Sequence, residues 1–274
     1  MHGRAFLAEL VQKYEQFRQQ DGKLPATFEV VYGHAWRGQD KQKNVDGVSP
    51  ITFKSRQKYA MSFSQLKPNS YFIVGTDTGV GKTFIASRIV QQFANQGYKT
   101  VGMKPIASGC EKNAQGEWVN EDVTALTNAS NVQAPLDLIN PYRFIPAIAP
   151  HIAASQAGVN IEIAKISQCF SALQQQTDIV IVEGAGGFLV PINPQETLVD
   201  LAVALKLPII LVVGMRLGCI NHTLLTVEAI KNRGLHLAGW VANQIDPEMP
   251  VFRENVATIQ NRVEANLLSV VQYG

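Results

Sequence analysis

Two lysines, two carboxylates and a threonine hydroxyl sit where apolar runs give way to turns, and together they suit the handling of a phosphoryl group. The clearest stretch is residues 71–83, YFIVGTDTGVGKT, which reads strand, glycine-rich turn, helix. Gly75, Gly79 and Gly81 let the backbone turn its N–H groups toward an anion, and the helix start adds a favourable dipole. Lys82 can reach the outer phosphates of a nucleoside triphosphate, and the Thr83 hydroxyl can ligate magnesium. In the common spacing G-x-x-x-x-G-K-[ST] a glycine would stand at Thr76; here it comes one residue earlier, at Gly75, so the loop is a variant form. The competing reading is a glycine-rich turn that happens to contain Lys-Thr, and the strand before and helix after it favour the anion cradle.

Further along, the apolar run 179–182 ends in Glu183-Gly184-Ala185-Gly186. A carboxylate there faces the phosphate loop and can hold magnesium, although an ordinary strand-end glutamate fits the same pattern. Asp122 opens a short helical pattern over 122–126, where it is either an N-cap or a ligand. Lys104 closes another apolar run and precedes Pro105, with Ser108 and Gly109 in the same turn. A lysine so placed can neutralise a transferring phosphoryl group, and it can equally be a solvated surface lysine.

The elements that must hold these groups alternate regularly. Strand-length apolar runs lie at 71–74, 100–103, 179–182, 208–213 and 237–242, with helical patterns at 82–95, 161–175, 197–205, 221–233 and 251–265. This predicts an α/β fold of the three-layer P-loop NTPase type, a mainly parallel sheet with helices on both faces and ligands at the carboxyl ends of the strands. Residues 1–69 are different material: one helical pattern at 5–19, a strand-like run at 27–32, then a polar, basic linker over 37–69. The expected division is therefore an N-terminal extension, 1–69, and a P-loop domain, 70–274.

The chain has 274 residues, 46% hydrophobic and 17% charged, with a net charge of +2, enough apolar material for a large core. No run of about 18 apolar residues predicts a bilayer span. The three cysteines, widely spaced, read as reduced thiols of a cytoplasmic protein. Residues 71–274 carry 13 Lys+Arg against 16 Asp+Glu, which is unlike a nucleic-acid binder.

At these residues the chain resembles dethiobiotin synthetase. The matching stretches, in the family's order, are GTDTGVGKT (75–83), KPIASG (104–109), Asn120-Glu121-Asp122, NPYRF (140–144), APHIAA (149–154), VEGAGG (182–187), VVGMRLGCINH (212–222) and GWVANQ (239–244). The resemblance implies an ATP- and Mg2+-dependent ring closure on 7,8-diaminononanoate with CO2, through a carbamate and a carbamic–phosphoric anhydride. It makes Lys104 the catalytic lysine and sets Lys82 beside it on the γ-phosphate. Thr83, Asp122 and Glu183 would hold magnesium; Thr78 and Ser108 would meet the carbamate end. Gly79, Val80, Gly81 and Phe84 would line the nucleotide, with Gly184, Ala185 and Gly186 opposite. Asn243, followed by Gln244, would read the adenine edge. The turn of Gly218, Cys219, Ile220 and Asn221 would offer N–H groups to the carboxylate of a substrate bound mainly by the neighbouring subunit, which implies a homodimer. By its own chemistry Cys219 reads as a small buried hydrophobe, and His151 as a structural residue at a helix start.

Two departures from the family pattern carry expectations. The family usually continues past its last strand into a loop that contacts adenine, whereas this sequence ends at Gly274; looser base selection is expected. Residues 24–36, LPATFEVVYGHAW, resemble the tail of the biotin-pathway methyltransferase that acts on malonyl-thioesters. They lack a glycine-rich cofactor turn, so a fusion remnant, an early start or a docking arm is expected rather than methyl transfer. A switch or partitioning ATPase of the same P-loop group is the alternative function; its extra early lysine is absent from residues 76–80.

Overall fold

In the computed structural model the residues described are 63–113, 116 and 118–273. In chain order the strands are β1 (Tyr71–Gly75), β2 (Thr100–Met103), β3 (Ile106–Ser108), β4 (Glu111–Lys112), β5 (Trp118–Val119), β6 (Tyr142–Phe144), β7 (Ile179–Glu183), β8 (Ile209–Met215), β9 (Leu237–Gln244) and β10 (Leu267–Val271). The helices are α1 (Lys82–Asn95), α2 (Glu121–Ala129), α3 (Leu136–Ile139), α4 (Pro150–Gln156), α5 (Ile163–Gln174), α6 (Leu198–Leu205), α7 (Cys219–Asn232) and α8 (Phe252–Gln260).

Six strands form one sheet in the order β10-β9-β8-β1-β7-β2, and every pairing is parallel. This is the expected P-loop NTPase-type architecture. Strand alternation divides the core. Tyr71 and Ile73 of β1 pack with Ile85, Ile89 and Phe93 of α1 on one face, while Phe72 and Val74 join the larger cluster containing α5 and α6 residues on the other. Burial on both faces explains why the central strands are apolar up to their carboxyl ends, where β7 finishes in Glu183.

Two expectations need correction, and one small sheet is an addition to them. The helical pattern at 251–265 ends at Gln260, and residues 267–271 form a further strand on the edge of the sheet. The chain turns after α8 because Leu267–Val271 supplies a short apolar run that pairs with Trp240–Asn243. The linker reading of 37–69 fails at its end: Phe63 is 1% exposed, packs with α1 and donates its N–H to the Gln92 side chain at 2.8 Å. Finally, β3 pairs with β6 in a small separate sheet that the apolar pattern did not announce. The extension's helical and strand-like patterns, and the methyltransferase-like run, lie outside the described residues. Among the described residues, no helix is long and apolar enough to cross a membrane.

α6 carries a stabilising device of its own. The Asp200 carboxylate accepts from the Thr197 N–H at 2.7 Å and from its hydroxyl at 2.8 Å, and Arg233 adds a bond at 3.1 Å. Burial alone would raise the Asp200 pKa, but these partners hold it below the usual carboxylate range. The stability it contributes is therefore present above the unfolded value near pH 4 and lost as pH falls through the lower folded value. Asp200→Asn is expected to cost about 1 kcal/mol at pH 7, by urea unfolding, with the difference shrinking toward pH 3.

Candidate active site

The phosphate loop runs from the end of β1 to the start of α1. Gly79 and Gly81 both adopt left-handed φ values, +72° and +88°, so the turn needs residues without a Cβ. Lys82 is 6% exposed, and its ammonium donates to the Asp77 carbonyl at 3.0 Å. Burial and the nearby Lys104 ammonium push its pKa down to about 8.

Four side chains from α1, α2, the end of β7 and the turn after β2 converge at the loop. Thr83, in the first turn of α1, donates its hydroxyl toward Asp122 Oδ1 (2.6 Å) and Glu183 Oε1 (2.8 Å). Lys104 Nζ lies 2.6 Å from Glu183 Oε1 and 2.7 Å from Asp122 Oδ2, and also donates to the Gly184 carbonyl at 3.3 Å. Lys104 is 4% exposed and Glu183 1%. Burial alone would lower Lys104, but Glu183 and Asp122 outweigh it and raise its pKa, so it stays an ammonium. Asp122 is tipped up by burial and pulled lower overall by Lys104 and Thr83. Glu183 is pushed up by burial, against the pull of Lys104.

The strands explain the convergence. In a parallel sheet all carboxyl ends open at one edge, and here β2, β7 and β1 are adjacent. Asp122 reaches the site because Asn120, not Asp122, caps α2: the Asn120 side chain accepts from the N–H groups of Asp122 (3.1 Å) and Val123 (3.3 Å). That leaves the Asp122 carboxylate out of the cap and free to turn toward Thr83 and Lys104.

A cavity of about 370 Å3 holds Thr78, Gly79, Gly81, Lys82, Thr83, Lys104, Asp122, Glu183 and Gly186 together. A neighbouring one of about 450 Å3 takes Phe84, Asn243 and Gln244 with the residues after β10. Val80 is buried beneath the loop, and its carbonyl accepts from the Asn243 amide at 2.8 Å. Ala185 is partly buried against the main core cluster. The Ser108 hydroxyl is buried without a hydrogen-bond partner, but Ser108 is not among the residues lining either cavity.

Gly218, Cys219, Ile220 and Asn221 start α7 and lie outside both cavities. The Cys219 N–H is already donated to the Arg216 carbonyl at 3.0 Å, so it is not free for an anion, and its thiol is buried as the sequence suggests. Two participants escaped the sequence reading. Arg216 forms an ion pair with Asp77 of the phosphate loop, and Tyr273 lines the second cavity. Arg216 follows β8 directly, so its strand-end position was the available signal.

Comparison with known proteins now bears on this site. A protein-family model described as an AAA domain matches residues 69–274. The curated ATP-dependent dethiobiotin synthetase BioD of Nitrosospira multiformis is 53% identical over 203 residues, 74% of this chain and 88% of that protein. The one of Aromatoleum aromaticum is 51% identical over 207 residues, 76% and 92% respectively. The chain belongs to the dethiobiotin synthetase family. A looser likeness reaches the septum site-determining protein MinD of Pyrococcus horikoshii complexed with Mg-ADP, 15% identical, TM-score 0.48, over 74% of this chain and 81% of that one.

For a dethiobiotin synthetase family member, a magnesium ion is implied, and the donor set can be tested against it. Glu183 Oε2 is buried and has no hydrogen-bond partner, while Thr83 Oγ1 and the Asp122 carboxylate lie beside it. Hard oxygen donors, two of them charged, next to a phosphate cradle fit Mg2+.

Proposed function

We propose that this chain uses ATP to close a ureido ring on 7,8-diaminononanoate with CO2, yielding dethiobiotin, ADP and phosphate. What carries the reading is one juxtaposition: the buried Lys104 ammonium and the Thr83 hydroxyl, each within hydrogen-bond distance of the same two carboxylates beside the phosphate loop, in a chain 53% identical to a curated synthetase.

The chemistry has three bond-making events. A substrate amine adds to CO2, forming an N–C bond and losing a proton. A carbamate oxygen attacks the γ-phosphorus, and the bond to the ADP oxygen breaks. The second amine attacks the carbonyl carbon, and the C–O bond to phosphate breaks as the ring closes. Little covalent work falls to the protein; positioning and charge neutralisation dominate. Lys82 and the loop N–H groups hold the outer phosphates. Lys104, kept cationic by its carboxylates, neutralises charge on the transferring phosphoryl group and the anhydride. Thr83, Asp122 and Glu183 would hold magnesium, which supplies further neutralisation of phosphate charge when bound. Thr78 and Ser108 are assigned to the carbamate end, Ser108 because its buried hydroxyl still lacks a partner.

The substrate carboxylate is assigned to the α7 start of a second copy, through the N–H groups of Ile220 and Asn221 rather than Cys219. The homodimer itself is taken from the family resemblance; Leu217, 97% exposed, stands beside that turn. Sedimentation should give twice the chain mass; a monomer would remove the shared site.

The deciding assay is phosphate release from MgATP with and without 7,8-diaminononanoate and bicarbonate. Release that requires the diamine, with dethiobiotin identified by mass, is expected. Release indifferent to the diamine would return the chain to the switch-ATPase reading.

A further inference from the structure

Lys104 enters the site from the point where the chain changes sheets. β2 ends at Met103 in the main sheet, and β3 begins at Ile106 in the small sheet with β6, so the Lys104–Pro105 step belongs to neither ladder. Pro105 has no N–H, which removes one backbone anchor at this step. The Lys104 N–H is donated to the Ile139 carbonyl at 2.9 Å, and the Pro105 carbonyl accepts from the Tyr142 N–H at 3.2 Å. The Lys104 carbonyl is held by a side chain instead: it accepts from Asn140 Nδ2 at 2.5 Å.

Asn140 follows the single turn of α3 and is 0% exposed. The same Nδ2 donates to the Tyr142 carbonyl at 3.1 Å, so one amide joins the Lys104 backbone to the start of β6. Two carbonyl partners fix the orientation of the amide and leave Oδ1 buried without a partner among the described residues. The side chain thus serves as a donor only, at the cost of an unmet buried acceptor. It does not line the cavity that gathers Lys82, Lys104, Asp122 and Glu183, so it acts on that cavity from behind.

From this we infer that Asn140 is a positioning residue for the reaction: it fixes the backbone from which the Lys104 side chain departs, and so sets where the ammonium meets the transferring phosphoryl group. The inference rests on the ring-closing reading, which gives Lys104 its task. Charge neutralisation of this kind depends on placement, and a shift of about 1 Å can cost about a hundredfold in rate. The bonds at the Lys104 N–H and the Pro105 carbonyl do not involve the amide, so its loss should loosen the ammonium without unfolding the turn.

The test measures diamine-dependent phosphate release by the intact chain, with thermal melting followed alongside. Asn140→Leu keeps the volume and deletes the donor. It is expected to lower kcat about tenfold or more while KM for MgATP stays within about threefold, because Lys82 and the loop N–H groups are untouched. A double-mutant cycle with Lys104→Met separates placement from general damage: in that background Asn140→Leu should change the residual rate by less than about twofold, as no ammonium is left to place. Asn140→Ala, with a smaller side chain, should repeat the pattern. A kcat within about twofold of the parent would overturn the inference, as would the same proportional loss with and without the Lys104 ammonium. Loss of cooperative melting in both variants would make Asn140 a structural residue and overturn it too. Phosphate release by the parent that ignores the diamine would overturn ring closure first, and with it the task assigned to Lys104.

Discussion

Lys104→Met should lower diamine-dependent phosphate release by at least about a hundredfold, the usual loss when one preorganised charge is removed from a developing anion. Methionine keeps much of the length and apolar stem while deleting the ammonium. The residue is 4% exposed and contacts Glu183 at 2.6 Å and Asp122 at 2.7 Å, so no other side chain can swing into its place cheaply. The change also strands a buried carboxylate. Removing one partner of a buried pair costs about 3–5 kcal/mol when the other stays charged. Glu183, already pushed up by burial, can instead take up a proton, so the loss should fall below that range. Melting without magnesium should therefore drop by several degrees rather than collapse. Phosphate release within tenfold of the parent would sink the assignment of Lys104. Lys104→Arg should fail as well, because a planar fork cannot occupy a site shaped for a compact ammonium.

Gly81→Ala is the second large effect expected. A Cβ at this position would lie 2.2 Å from the Asn243 amide nitrogen, and the backbone sits at φ +88°, where a side chain is strained by about 1–2 kcal/mol. Asn243 cannot simply yield, since it holds the Val80 carbonyl at 2.8 Å; moving it releases the middle of the phosphate loop. ATP binding should weaken more than tenfold while the helical signal and melting point stay close to the parent. Gly79 is the internal control. It has φ +72° but nothing within 4 Å of an added Cβ, so Gly79→Ala carries strain without collision and should weaken ATP binding much less. Equal effects at the two positions would show that strain alone matters. Unchanged ATP binding in Gly81→Ala would remove the Asn243 contact from the account.

Much of this architecture was legible in the residues, for a physical reason. The central strands are buried on both faces, so they read as unbroken apolar runs, and the chemistry follows each run at the edge where parallel strands end. What stayed hidden depends on partners far along the chain. β10 lies at the sheet edge with mixed burial, so its short run was not counted among the strands. Asp122 looked as much like a cap as a ligand until Asn120 was seen to hold the cap. The Asn243 side chain works against Val80, 163 residues earlier, and no local periodicity records such a contact. Cys219 could be recognised as a buried thiol from its type, but the use of its N–H depended on the turn made by Arg216.

The strand order has a consequence for how the chain reaches its native state. β1 is the first strand of the described chain, yet it sits between β8 and β7 in the middle of the sheet. The Ser70 hydroxyl beside it accepts from Val180, 110 residues later. No hairpin can nucleate this sheet, because a parallel neighbour requires a crossover first. Closing such long loops costs entropy before any pairing returns it, and high contact order slows folding into the range of milliseconds to seconds. During synthesis the segment that later cradles phosphate emerges early and must wait for β7 and β8. Until then its apolar strand has no neighbour, and a nascent chain halted before Ile179 should be recognised by chaperones as unfinished.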